Sequence, residues 1–315
     1  MNGPLGLAEW GPVGRMALIV LGVLVFASVL VWLLGRLAPQ RDWRELRDRT
    51  RSWWIMASIF FAAVVVHPIL SLVFFGLLSF WALKEFVTLL QTRPADHKAL
   101  FLAFLAVPVQ YYWVHIQWYG LFIIFVPVYM FLLLPAGLVL ARDPRGFVAS
   151  AAQIQWGLMA FVFGLSHLGY LLGLPAVEGS RADGRTMVLF LVFLTEMSDV
   201  LQYCWGKLLG RHKVIPTISP NKTWEGLLGG VATMAAASLL LRFLTPFSAR
   251  ETVGVALLIG LAGFFGGAVM SAVKRDFGVK DFGTAIPGHG GMLDRVDSLC
   301  YAAPLFFHYV WYFHY

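Results

Sequence analysis

The sequence predicts an all-α, polytopic integral membrane protein of about ten transmembrane helices with catalytic cytoplasmic loops, and three observations carry that reading. Of 315 residues, 59% are apolar and only 13% are charged, about half the roughly 25% charge of an average soluble protein. The mean hydropathy is +0.74. Apolar runs of about twenty residues, the length that crosses a bilayer core, recur along the chain between short charged segments. These features exclude a soluble globular enzyme, a disordered chain and a disulfide-stapled secreted domain. Two cysteines make no disulfide framework. Cys204 and Cys300 lie in or just inside apolar runs and read as small buried hydrophobes. The net charge of +7 falls between the runs, where it sets topology and can bind anions; it does not point to nucleic acid.

The spans follow in order. Residues 16–34 carry no charge, are too long for a signal-peptide core and lack a basic segment before Arg15, so they form a true first span. Residues 52–90 are too long for one helix and break near His67-Pro68, which makes them a tight pair. Residues 99–113 and 119–141 form another pair around a short turn. Further spans lie near 148–174, 187–208, 224–244, 253–273 and 298–314.

Charge tests the count. If the arginine-rich segment 35–51 is cytoplasmic, alternation also places 91–98, 142–145, 206–223 and 274–297 inside. These five segments hold 18 Lys and Arg against 4 on the other side, with Lys84 and Arg242 inside spans. That bias predicts both termini outside; an odd number of spans would break the alternation. No internal repeat, low-complexity tract or soluble domain is evident.

Two of the cytoplasmic loops carry far more polar chemistry than a turn requires. In the second, 271–297, Lys274, Arg275 and Lys280 supply cations, and Asp276, Asp281, Asp294 and Asp297 supply hard oxygen ligands. The run from Pro287 to Gly291 is an irregular turn whose glycines bare backbone N–H groups, a nest suited to phosphate oxygens. Asp294 and Asp297, three residues apart at the mouth of the last span, are expected on one helix face. Carboxylates beside a glycine turn and basic residues suit Mg²⁺ bridging a polyphosphate. The plain alternative is a positive-inside loop with incidental carboxylates. In the first loop, 210–226, Ser219, Asn221, Lys222 and Thr223 precede a span that starts at Trp224, which makes an anion site at a helix N-terminus. Asn221 or Thr223 as a simple N-cap, with Glu225 in the first turn, is the alternative.

Inside the membrane, Glu196, Asp199 and Gln202 recur every three residues on one stripe, and ionisable groups within a span usually face a polar cavity. Pairing with a lysine or arginine elsewhere is the structural reading. Glu85, beside Lys84 in the third span, is a weaker case, since Lys84 can snorkel to the interface. The eight histidines show no zinc spacing, and neither a Walker A sequence nor a G-x-S-x-G elbow is present. His289, between two glycines, is a candidate proton acceptor or a loop-shaping residue that touches phosphate. The Trp and Tyr clusters read as interfacial belts.

The second loop closely resembles the signature of the phosphatidate cytidylyltransferases, also called CDP-diacylglycerol synthases. Its fixed positions are all present: Ser271, Lys274-Arg275, Lys280-Asp281, Pro287-Gly288-His289-Gly290-Gly291, Asp294-Arg295 and Asp297. The first loop is similar to the family's Ser-Pro-x-Lys-Thr-Trp-Glu-Gly stretch through Ser219, Pro220, Lys222, Thr223, Trp224, Glu225 and Gly226. Asp199 falls where the family carries an intramembrane Asp, although Val200, Leu201 and Gln202 stand where small residues are usual. The resemblance divides the chain into an N-terminal transmembrane part, 1–190, and a catalytic part, 191–315. It implies transfer of the cytidylyl group of CTP to phosphatidate, with release of pyrophosphate, at the cytoplasmic face of a bacterial inner membrane. It further implies Mg²⁺, with a second cation as an option, held by Asp199, Asp281, Asp294 and Asp297. Asp281, Asp294, Lys280, Arg275 and His289 would be catalytic, and Ser219, Asn221, Lys222, Thr223, Lys274 and Arg295 would bind substrate. A homodimer is compatible with it. Two other classes stay open: a transporter or flippase for an anionic lipid, and a different membrane transferase acting on another lipid phosphate.

Overall fold

A computed structural model describes residues 11–40, 42–286 and 290–315. Among the described residues ten long helices follow one another: α1 (Pro12–Leu37), α2 (Arg44–Val65), α3 (Pro68–Leu89), α4 (His97–His115), α5 (Tyr119–Val139), α6 (Phe147–Leu172), α7 (Gly184–Leu209), α8 (Trp224–Leu244), α9 (Ala249–Asp276) and, after the short α10 (Leu293–Val296), α11 (Leu299–His314). Seven are long and apolar enough to cross a membrane. The other three occupy expected spans but fall short on composition or length: α2 opens on a charged stretch, α4 carries several polar residues, and α11 has 16 residues.

Local chemistry explains the boundaries. Pro68 lacks a donor and favours the first helical turn, while the His67 Nδ1 caps it by accepting from the Ile69 N–H at 3.2 Å. Pro127 removes one amide from the ladder of α5, and the helix widens there into a π segment over Phe125–Met130. Ser248 and Glu251 form a capping box that starts α9.

The helices share one core. α7 packs against α8, α9 and α11, and α6 bridges α3 to α11, so the last helix lies inside the bundle and Phe306, Phe307 and Val310 are fully buried. The outer face is apolar instead of charged, with Phe26 at 70% exposure and Leu240 at 78%, as a lipid-facing surface requires. The protein is an integral membrane protein. Cross-helix contacts join ends that alternate crossing puts on the same side. The Tyr170 hydroxyl donates to the Gln117 carbonyl at 2.9 Å, and the Arg93 guanidinium donates to the Ser150 hydroxyl at 3.0 Å.

Two expectations change. Cys204 is exposed on the outer face of α7, whereas Cys300 is buried; an apolar run in a membrane span has a lipid side as well as a core side. The first loop is not purely helical in its surroundings: β1 (Lys213–Ile215) and β2 (Ser219–Thr223) pair antiparallel, with Ile215 opposite Ser219. The hairpin hands β2 directly to the first turn of α8.

Candidate active site

The second loop is held by two buried carboxylates. Among the described residues Asp294 takes three charge-assisted hydrogen bonds: Oδ2 accepts from the Phe282 N–H at 2.8 Å and the Gly291 N–H at 2.9 Å, and Oδ1 accepts from Lys274 Nζ at 2.8 Å. Glu85, at the end of α3, accepts from the Met292 N–H at 3.0 Å and the Leu293 N–H at 2.8 Å. These amides start α10, where a helix lacks partners for its first donors and favours negative charge. The loop closes this tightly only on glycine. Gly290 has φ +82°, and a Cβ on Gly291 would sit 2.5 Å from Glu85 Oε2. Sequence reasoning ranked Glu85 low because its neighbour Lys84 can snorkel to the interface, and the loop it anchors lies about two hundred residues away. The signal was that a carboxylate at a helix end needs donors, and a glycine turn has spare ones.

A second pair of carboxylates is far less satisfied. The Ser298 hydroxyl donates to Asp199 Oδ2 at 2.9 Å and also lies 3.3 Å from Asp297 Oδ1, which accepts the Ser298 N–H at 2.6 Å. One hydroxyl proton serves one acceptor at a time, so among the described residues two acids share a single side-chain donor. Ser298, one residue past the signature, was not anticipated. Lys222 reaches in from β2. Its Nζ donates to the Phe264 carbonyl at 3.2 Å and stands 4.4 Å above the Phe264 ring. Gly267 of α9 forms the floor: a Cβ there would lie 3.3 Å from Lys222 Nζ and 3.9 Å from Asp297 Oδ2. Burial lowers the Lys222 pKa, against the pull of the Asp199 and Asp297 charges. Burial raises that of Asp297, opposed by Lys274, Arg295 and Lys222. Arg295 lies within electrostatic reach of Glu196, Asp199 and Asp297, and its buried Nε has no hydrogen-bond partner among the described residues.

The expected residues therefore divide. Asp199, Asp297, Lys222 and Arg295 come together. Asp294 and Asp297 do not act as one face: the first turns to Lys274 and the loop amides, the second to Ser298. The four aspartates form no single cluster, and among the described residues no three His, Cys, Asp or Glu are grouped to hold a metal ion. The donors that could hold a cation are Asp199 and Asp297. Lys280 and Asp281 are exposed at the loop rim, with Asp281 against Gly290. Arg275 ties the two loops, its Nε directed at the Ile218 carbonyl at 3.4 Å and Nη1 at that of Val279 at 3.3 Å. Thr223 is buried and caps α8 by accepting the Gly226 N–H at 3.1 Å; Ser219 is half-buried in β2 and Asn221 exposed. Gln202 leaves the carboxylate stripe and packs on Gly230 of α8. His289 lies outside the described residues.

The arrangement sets two under-satisfied carboxylates within electrostatic reach of Lys222, Lys274 and Arg295, a donor set that could hold a cation and phosphate groups together. The model of the cytidylyltransferase family matches residues 47–313. The chain is 44% identical over 298 residues to a protein of Escherichia coli strain K12 named Uncharacterized protein YnbB, covering 94% of this chain and 96% of that one. It is 36% identical over 154 residues to the Phosphatidate cytidylyltransferase of Staphylococcus aureus strain COL, covering 48% of this chain and 59% of the relative. It is 41% identical over 146 residues to that of Brucella abortus biovar 1 strain 9-941, covering 46% and 54%. The chain thus spans little more than half the length of the relatives that carry an enzyme's name.

Proposed function

The chain belongs to the cytidylyltransferase family, and from that footing we propose that it transfers the cytidylyl group of CTP to phosphatidate, giving CDP-diacylglycerol and pyrophosphate. A phosphate oxygen of the lipid attacks the α-phosphorus of CTP; the bond from that phosphorus to the β-bridging oxygen breaks, and pyrophosphate leaves. Two anions must meet, so catalysis is mainly positioning and charge neutralisation. Lys222, Arg295 and Lys274 are the cations assigned to the phosphates. Asp294 and Glu85 keep the glycine loop and Lys274 in place. Lys280, Arg275 and Asp281 are assigned to the nucleotide side of the loop, with Ser219 and Asn221 on the hairpin opposite.

The observation that carries this reading is the Asp199–Ser298–Asp297 group beside Lys222. Its donor chemistry fits Mg²⁺, which commonly takes one or two carboxylates and fills its remaining positions with phosphate oxygens and water. Asp199 and Asp297 would hold the ion, and it would supply further neutralisation of phosphate charge. The charge bias of the loops supports a site open to the cytoplasm, where CTP is, in the inner membrane of a bacterium.

A second reading, the same transfer to a different lipid phosphate, is favoured by the bulky Gln202, packed on Gly230 where the family usually carries a small residue, and by the partial coverage of the named enzymes. One experiment separates these readings. Purified protein in detergent is given CTP labelled in the cytosine, Mg²⁺ and either phosphatidate or another lipid phosphate. Label entering the organic phase with equimolar pyrophosphate, only with phosphatidate, supports the first reading; label with another lipid phosphate alone supports the second. Transport of an anionic lipid without CTP consumption would overturn both.

A further inference from the structure

Away from this site, α1 and α2 flank an open groove of about 720 Å³, within the usual size range of ligand pockets. Its lining comes from one stripe on each helix, spaced three or four residues apart. The helices run antiparallel, so Arg36 near the end of α1 meets Arg47 and Arg51 near the start of α2 at one mouth. Deeper in, the wall is aromatic, with Trp32 from α1 and Trp54 from α2.

The wall is built in advance. Trp54 Nε1 donates to the Ser28 hydroxyl across the helix pair at 3.0 Å, and that hydroxyl donates to the Leu24 carbonyl at 2.7 Å. The Arg36 guanidinium stacks 4.3 Å from the Trp32 ring centre, a cation–π contact that orients it. Topology alone does not require this. The positive-inside rule asks only that basic residues lie on one side, and Arg49 meets it while paired with Glu45 away from the groove. Arg36, Arg47 and Arg51 make no ion pair among the described residues, yet all three converge on one opening.

We propose that this groove binds an anionic phospholipid by its phosphate group. The three guanidiniums surround the phosphate, which they can grip by paired N–H bonds, and the indoles line the glycerol and the first acyl carbons. Basic pockets between helices at the charged side of a bilayer are suited to anionic head groups. Trp32 and Arg36 precede the stretch 47–313 that the family model matches, whereas Arg47, Arg51 and Trp54 fall within it; the groove shares no lining residue with the Asp199–Ser298–Asp297 group, so the proposal does not rest on the proposed activity.

The test uses the full chain in detergent, with phosphatidylglycerol, phosphatidylcholine or soluble glycerol phosphate added, read by native mass spectrometry and thermal unfolding. At about 1 kcal/mol per basic residue near a lipid surface, the double change Arg47→Ala with Arg51→Ala weakens phosphatidylglycerol binding roughly thirtyfold. Arg44→Ala with Arg49→Ala removes the same charge off the groove and leaves binding within about twofold. Gly35→Leu fills the groove without changing charge, since a Cβ there meets nothing within 4 Å, and it too abolishes retention of the lipid. Equal losses in both arginine pairs would reduce the effect to diffuse charge and overturn the proposal. Equal retention of phosphatidylcholine would overturn it by removing the anion, and equal binding of glycerol phosphate by removing the lipid.

Discussion

Two aspartates three residues apart are expected to respond oppositely to the same substitution. Asp294→Asn retains one carbonyl oxygen for the Phe282 and Gly291 amides, but it places an NH₂ group where Oδ1 receives Lys274, donor against donor. The side chains of this pair are 14% and 3% exposed, and removing one partner of a buried ion pair costs about 3–5 kcal/mol. Lys274 also feels the charge of Asp297, which offsets part of that loss, so about 3 kcal/mol is the expected destabilisation. Asp297→Asn keeps the oxygen that accepts the Ser298 N–H and removes both a buried charge and its repulsion with Asp199. Stability is then unchanged or higher, while turnover falls by at least a hundredfold, about 2.7 kcal/mol of transition-state stabilisation, and the Mg²⁺ requirement shifts upward in whatever activity remains. The protein supplies its own probe: Cys300 is 4% exposed, so in a Cys204→Ala background a thiol-reactive dye reports unfolding in detergent. Melting of Asp294→Asn with the parent, or of Asp297→Asn as low as Asp294→Asn, would show that the division between an anchoring and a ligand-facing carboxylate is wrong.

Glu85→Ala leaves two loop amides without their acceptor, at about 1–3 kcal/mol each; the melting temperature should drop and segment 277–292 should become protease-sensitive, and an unchanged digest would refute the anchoring role. Lys222→Ala should raise the KM for CTP about tenfold to a hundredfold, the loss of one charged hydrogen bond, with Lys222→Arg intermediate; an unaltered KM would make Lys222 a topological charge only. Because burial raises the Asp297 pKa, the folded state holds that proton more tightly than the unfolded chain. The stabilisation is complete below the ordinary value of 3.8 and is lost as pH rises through the raised folded value; Asp297→Asn should remove that slope from a melting-temperature profile, and persistence of the slope would assign it elsewhere. Single cysteines at Arg47, Arg211 and Thr284 should resist an impermeant reagent outside intact cells, and one at Glu178 should react. Thr284 is preferred to its neighbour Gly283, where a Cβ would meet Glu85 Oε1 at 2.9 Å; labelling at 211 or 284 would reverse the orientation.

Much of the bundle was legible because bilayer thickness and charge placement act directly on sequence. The span read as 224–244 is the helix Trp224–Leu244, and the break near His67-Pro68 is the one between α2 and α3. The hairpin of the first loop was not legible. Five-residue β2 contains Pro220 and Asn221, poor strand formers, and it owes its extended shape to pairing with β1 and to the Thr223 cap. In the site, local spacing found Asp199, Asp297 and Lys222 as chemical groups. It could not tell which acid would be used up by the fold, because the donors that occupy Asp294 and Glu85 are backbone amides, and amides are the same in every sequence.

That difference in donors is what separates the two kinds of acid in this protein. Among the described residues, Asp294 and Glu85 together accept five hydrogen bonds from four amides and one lysine, so their charge is answered before any ligand arrives. Their function is to hold bare glycine backbone in one shape at the edge of a membrane, where unanswered polar groups are costly. Among the described residues, Asp199 and Asp297 share one side-chain hydroxyl, and Lys222 spends its observed hydrogen bond on the Phe264 carbonyl. Buried charge left short of partners is destabilising unless something else supplies the missing positive charge. The rigid loop and the under-satisfied pair are therefore complementary: the anchored acids fix where the amides and cations stand, and the under-satisfied acids leave negative charge that a bound cation would answer.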